Sequence, residues 1–176
     1  GRRDLDVTAN LCVCSHGHGD HHGDSCVKTE ESLVRNPFRI ETVESWHDDE
    51  GGSRRGPNTI HIFHGEEMKI IHMGDIGCRP ENWQMDLLKG ADAVMAPAGG
   101  FYTAEPSVIY EIIKEIRPRV VIPMHYRTAG SGFPVLKTCE EFLSYCSNVV
   151  RYETDTLVLD KETGNQTAVL KQWACR

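Results

Sequence analysis

The sequence predicts an α/β fold of the mixed α+β kind, a sheet carrying helices on one face, and three observations predict it. Residues 68–125 read as consecutive strand–helix–strand units. The stretch before them alternates apolar and polar side chains in the manner of half-buried strands, and short β-rich runs return towards the C-terminal end. With 176 residues the chain is long enough for one domain with its own core and short for two, so residues 1–176 are expected to form a single domain.

Residues 10–15, Asn-Leu-Cys-Val-Cys-Ser, are apolar and β-compatible and predict a buried strand. A short helix is expected over 25–34. Residues 38–46 alternate as a half-buried strand that delivers His47, and the polar run 48–57 reads as a loop. Strands are expected at 58–64 and 68–73, turning at Gly65 and Glu66, the second running into Asp75. The spacing then predicts a helix over 80–89, a strand over 92–97 and a helix over 106–117 opened by Pro106. The apolar run 119–123 reads as a buried strand ending at His125. A helix over 137–147 and strands over 148–152, 155–160 and 166–171 complete the expected order.

Chemistry concentrates in residues 15–23, Ser-His-Gly-His-Gly-Asp-His-His-Gly. Imidazole is the commonest metal ligand at neutral pH, and a mixed His and Asp donor set suits zinc, iron or manganese. Glycines 17, 19 and 23 free the backbone so that successive imidazoles can turn to one point. His47, Asp75 and His125 each lie just beyond an expected strand, and ligands in open sheet proteins collect outside strand ends. These segments are therefore expected to converge on one metal site. His61, His64 and His72 lie within strands and read as structural. His22 reads as a neighbour of the site or as solvent-facing. Cys78, three residues past Asp75, is disfavoured as a ligand because imidazole and carboxylate already fill the site.

Acidic side chains number 26 against 19 Lys plus Arg, a net charge of −7, which argues against a broad phosphate-tracking surface. A small-molecule substrate is expected in preference to nucleic acid. No apolar run reaches the roughly 18–20 residues that span a bilayer, and residues 1–6 lack an apolar signal-peptide core. Seven cysteines form no disulfide framework. These features predict a soluble, cytoplasmic protein without membrane partners.

The cluster His16-Gly17-His18-Gly19-Asp20-His21 resembles the His-x-His-x-Asp-His signature of the metallo-β-lactamase superfamily, and His47, Asp75 and His125 follow in that family's order. Within the superfamily the chain is similar to the ascorbate-6-phosphate lactonase-like branch of zinc-dependent hydrolases. The likeness rests on His47-Asp48, Arg55-Gly56-Pro57-Asn58 and His72-Met73-Gly74-Asp75-Ile76-Gly77. It rests also on Pro97-Ala98-Gly99-Gly100-Phe101-Tyr102-Thr103 and Ile122-Pro123-Met124-His125-Tyr126. The resemblance implies an αββα sandwich. Because the first motif already begins at residue 16, that sandwich is expected in N-terminally shortened form. Strands missing from the first sheet would leave an open edge, for which a homo-oligomer is the expected remedy.

The resemblance further implies two zinc ions per chain, with manganese or iron acceptable to the same donors. His16, His18 and His47 would hold one ion, Asp20, His21 and His125 the other, and Asp75 would bridge. Asp20 and Asp75 are the implied catalytic carboxylates, Asp20 orienting the nucleophile and passing a proton to the leaving group. The expected activity is hydrolysis of a small, anionic ester, a lactone or a phosphodiester. A metal-binding homologue without turnover, a nuclease and, more remotely, a mononuclear iron oxygenase are the alternatives. Tyr102, Thr103, Tyr126, Arg127, Arg54 and Arg55 are weaker candidates for gripping an anionic substrate.

Overall fold

A computed structural model of the chain describes residues 7–19, 27–30 and 36–171. Val7–Ala9 (β1) and Val27–Thr29 (β2) pair in parallel as a two-stranded sheet. The second sheet has seven strands: Arg39–Trp46 (β3), Pro57–His64 (β4), Lys69–His72 (β5), Ala93–Pro97 (β6), Val120–Met124 (β7), Val149–Arg151 (β8) and Gln166–Val169 (β9). Their order is β3-β4-β5-β6-β7-β9-β8. Asn82–Leu88 (α1) and Pro106–Ile116 (α2) make the crossovers between β5, β6 and β7, and Cys139–Leu143 (α3) follows β7.

Local chemistry accounts for the helices. In α2 the apolar Ile109, Ile112, Ile113 and Ile116 fall at helical spacing and are all buried, each side chain contributing roughly 1.5–3 kcal/mol by leaving water. Pro106 starts the helix at a position whose N–H is not needed, and Arg117 closes it in the left-handed conformation (φ 55°) just before Pro118. A reciprocal capping box between Glu81 and Gln84 opens α1.

The two faces of the seven-stranded sheet differ, as the two-residue period of a strand requires. Ile60, Ile62, Ile71, Val94, Ala96 and Val121 face the helices and join Met85, Leu88, Ile109, Ile112 and Phe142 in the main core. Ala93, Val120 and Ala168 face the other way, packed against Tyr152, Leu157 and Leu159. Farther along that face lie residues 14 and 15, where Cys14 O is 3.1 Å from His61 Nε2 and the Thr59 N–H donates to Ser15 O at 2.7 Å.

Three local expectations are corrected. Residues 11–14 form no strand: β1 ends at Ala9, and Leu11 and Val13 are exposed. The run is held by single contacts to β4 rather than by a strand ladder, and a β-rich sequence without a ladder partner does not become a strand. Of the helix expected over 25–34, the described Val27–Thr29 is strand β2, paired with β1. Residues 155–160 are irregular, with Leu157 and Leu159 packed on the sheet face instead of joining its edge. The remaining elements occur within a few residues of the expected bounds. Among the described residues no helix is long and apolar enough to cross a membrane.

Candidate metal centre

Strand direction determines which side chains can meet. β3 and β5 both run antiparallel to β4, and β5, β6 and β7 are mutually parallel, so β3, β5, β6 and β7 all end at one edge of the sheet. His47 follows β3, Asp75 follows β5 by a two-residue turn, Ala98 and Gly99 follow β6, and His125 follows β7. β4 starts at that same edge, and its Thr59 anchors Ser15, the residue before His16. Ends that diverge by tens of residues in sequence are thereby gathered at one place.

There the ligand atoms of His16, His18 and His47 lie within 4.8 Å of one another, with His16 and His47 buried and His18 exposed. Their ring centroids are 4.6–5.0 Å apart. Ser15 Oγ sits 3.0 Å from His16 Nδ1, leaving Nε2 towards the cluster. A single carboxylate oxygen, Asp75 Oδ2, lies 3.8 Å from His16 Nε2, 3.6 Å from His47 Nε2 and 3.0 Å from His125 Nε2. One Asp75 oxygen thus lies within 4 Å of two members of the three-histidine cluster and of a fourth imidazole, His125. Asp20, His21 and His22 lie outside the described residues.

Two close approaches make this convergence sterically feasible. A Cβ on Gly77 would fall 2.2 Å from the Asp48 N and 2.3 Å from the His47 C, and the Gly77 N–H donates to Trp46 O at 2.8 Å. A Cβ on Gly99 would fall 2.3 Å from the His125 O. The glycines among the histidines have a different status. Among the described residues a Cβ on Gly17 or Gly19 would meet nothing within 4 Å, and neither has a positive φ. His125 itself has φ 51°, a left-handed conformation that histidine tolerates better than most residues.

Polar side chains hold the ligand-bearing loops. The Asp48 carboxylate, sealed from solvent, accepts backbone N–H groups from Glu50, Gly52, Arg54 and Arg55 at 2.8–3.0 Å. Burial pushes its carboxyl up, but the four donors together outweigh burial and hold it at about 2. Asn58 accepts the Asp75 N–H at 2.8 Å through Oδ1 and donates through Nδ2 to Ser45 Oγ and Met73 O. Sequence reasoning gave Asp48, Asn58 and Gly77 no role. They lie in the family-like motifs, and the available signal was an Asp, an Asn and a Gly each next to or near a candidate ligand, where such residues build turns.

Burial is the largest influence on His47 and lowers its proton affinity below the ordinary 6.5, with His18 and Arg55 acting in the same direction. A backbone hydrogen bond and the Asp75 carboxylate pull the other way. The neutral imidazole that results is the form that binds metal. Three neighbouring imidazoles, His16, His18 and His47, two of them buried, match the donor set of a zinc-type dication. Cys78 is not part of the cluster, and burial, with Asp48 and Asp49 adding, pushes its thiol up. His61, His64 and His72 make local hydrogen bonds, His64 to Glu41 and His72 Nδ1 to the Gly74 N–H.

The weaker substrate-gripping candidates divide. Thr103 is buried and donates to Ala104 O, Tyr126 packs against the main core, and Arg54 is paired with Glu50 and Asp49. Arg55 lies over the ring of Tyr102, 5.6 Å from its centroid, and Arg127 donates Nε–H to Leu136 O.

Comparison with known proteins agrees with this architecture. A family model described as a β-lactamase superfamily domain matches residues 1–125. A metal-dependent hydrolase of Desulforamulus reducens is 27% identical over 161 residues, covering 71% of this chain and 70% of its own length. The crystal structure of a Thermotoga maritima protein, described as a Zn-dependent hydrolase of the metallo-β-lactamase superfamily, superposes with a TM-score of 0.75 at 28% identity. That match covers 94% of this chain and 84% of the other. A metal-dependent hydrolase from Parabacteroides distasonis shares the fold at a TM-score of 0.59 and 15% identity, over 96% of this chain and 78% of its own. The chain belongs to the metallo-β-lactamase superfamily, as one of its metal-dependent hydrolases.

Proposed function

We propose that the chain hydrolyses a small, anionic ester, a lactone or a phosphodiester, at a dinuclear site. His16, His18 and His47 would hold one ion and Asp20, His21 and His125 the second, with Asp75 placed to join them. The observation that carries this reading is the position of Asp75 Oδ2, within 4 Å of Nε2 of His16 and His47 on one side and of His125 on the other. A carboxylate has two oxygens and a negative charge with which to join two cationic sites, and one of them, Oδ2, approaches imidazoles assigned to each site. Zinc-type dications bound there would supply Lewis acidity, enough to polarise a substrate oxygen and to make water nucleophilic near neutral pH.

The chain's own residues do the rest. His47, its proton affinity lowered by burial, presents a nitrogen lone pair from the end of β3, while Asn58 and Gly77 hold Asp75 against the His47 loop. Asp20, two residues beyond His18 in sequence, orients the attacking group and returns a proton to the leaving oxygen. Likeness to the ascorbate-6-phosphate lactonase-like hydrolases favours a phosphorylated lactone among the esters.

Elemental analysis of the purified protein, run beside a screen of lactones, phosphodiesters and thioesters, tests the reading. About two zinc or manganese ions per chain are expected, and Asp75→Ala should lower that content and abolish turnover. An unchanged rate in Asp75→Ala removes the bridge from the mechanism, and metal binding without turnover of any ester would favour a non-catalytic homologue.

A further inference from the structure

We propose that the substrate carries an aromatic ring beside its anionic ester, the ring held by a wall of Phe101, Tyr102 and Phe133 and the anion by Arg55 and Arg127. The inference rests on the hydrolytic reading above and narrows its substrate class.

The wall is assembled from three loops that border the metal centre. Phe101 and Tyr102 follow Gly99, whose backbone packs directly on the His125 carbonyl. Arg55 closes the loop that begins at His47. Phe133 follows Gly132, whose Cβ position faces Arg127 Cα at 2.9 Å and Tyr126 O at 3.2 Å. The rings form a continuous edge-to-face series, Phe101 to Tyr102 at 4.8 Å and 87°, then Tyr102 to Phe133 at 5.8 Å and 69°. Arg55 lies over Tyr102 at 5.6 Å.

Two features set this wall apart from ordinary packing. Phe101 and Phe133 remain 52% and 56% exposed, though each touches the same tyrosine. Phe101 also has φ 59° and sits at the apex of a three-residue turn closed by the Tyr102 N–H to Gly100 O at 2.7 Å. Left-handed backbone at a bulky aromatic residue is rare and costs stability, and a glycine would make the same turn without that cost. The fold therefore tolerates strain at a residue whose ring is left half in solvent, beside the metal centre.

The charges point the same way. Arg39, Arg54, Arg79, Arg119 and Arg151 are each paired with a carboxylate. Among the described residues Arg55, Arg117 and Arg127 have no carboxylate within ion-pair distance, in a chain whose net charge is −7, and of the three Arg117 closes α2 whereas Arg55 and Arg127 lie on the loops that carry His47 and His125. Guanidinium groups free of acidic partners recognise phosphate or carboxylate, and aromatic edges and faces recognise another ring better than a saturated group of equal size.

Calorimetric titration of the zinc-loaded protein with phenylphosphonate, cyclohexylphosphonate and methylphosphonate tests this. Phenylphosphonate should bind about 5- to 10-fold more tightly than methylphosphonate, with cyclohexylphosphonate between them. Phe101→Gly combined with Phe133→Ala should bring phenylphosphonate down to the affinity of methylphosphonate, and Arg55→Gln should weaken all three. Phe101→Gly alone relieves the strained turn, so it should keep or raise the melting temperature while losing part of the ring preference. Equal affinity for the phenyl and cyclohexyl ligands, a ring preference that survives both phenylalanine changes, or no binding of any phosphonate would overturn the inference. Turnover of a simple lactone without ring preference would overturn it alone, whereas selective phenylphosphonate binding with no ester turnover would overturn the hydrolytic reading instead.

Discussion

Gly77 shows how much of the centre depends on single atoms. Its Cα lies so close to the His47–Asp48 peptide that an added methyl group meets only backbone, which cannot rotate away. Gly77→Ala is expected to cost about 1–3 kcal/mol of stability, and by pushing the Asp75 turn off the His47 loop it should weaken zinc binding more than it weakens folding. Urea denaturation beside a zinc titration checks both. His47 carries a second residue-scale prediction. Burial lowers its folded-state proton affinity below 6.5, so in the metal-free protein its contribution is fully present above that pH and is lost as the pH falls through the lowered value. The urea midpoint of metal-free protein should fall on acidification from neutrality, and His47→Gln should flatten part of that slope. The His16, His18 and His47 cluster and the nearby Asp75 were legible in the sequence, the first two histidines from their tight spacing and His47 and Asp75 from their places just beyond strands. Gly77 was not, because its role is a contact with a residue thirty positions away, and spacing along the chain carries no such information.

At the scale of elements, the loop between β3 and β4 is built around Asp48. The sequence predicts a polar loop over 48–57, and its first residue is buried as the acceptor for four backbone donors. A loop that must present a ligand cannot be slack, and an internal carboxylate supplies the order that a strand ladder would supply elsewhere. Asp48→Asn turns an amide N–H towards two of those donors, and zinc affinity should fall about 10- to 100-fold, as for other residues that orient ligands. Competition with a chromogenic chelator measures it. Because the Asp48 pKa is depressed, the stability it confers is present above 3.8 and lost as the pH drops towards about 2, so the variant should differ least from wild type at the acid end. Helix α2 was fully legible, since isoleucines at helical spacing, an N-terminal proline and a proline after the last turn all agree. The strand expected at 10–15 and the one at 155–160 failed for a shared reason: β-propensity needs a ladder partner, and the first segment makes only single contacts to β4 while Leu157 and Leu159 pack on the sheet face.

For the molecule as a whole, the centre joins segments that nothing local holds together. His18 is exposed and His16 reaches the sheet through Ser15, so a bound ion would tie residues 16–18 to the end of β3. Zinc should therefore raise the melting temperature, and at about 1,000 times its Kd it would add roughly 4 kcal/mol. A chelator should reverse the gain, and His18→Ala, at an exposed position, should abolish it with little effect on the metal-free protein. Differential scanning calorimetry with and without zinc provides the check. By itself the sequence determined the donor types, the element order through residues 38–125 and the family, because those follow from side-chain chemistry and periodicity, which are local. The tertiary structure alone decided that β3, β5, β6 and β7 end at one edge, that one Asp75 oxygen approaches His16, His47 and His125, and that Phe101 is held half exposed in a left-handed turn. Each of these depends on strand direction and on contacts between distant backbones, which exist only once the sheet has formed.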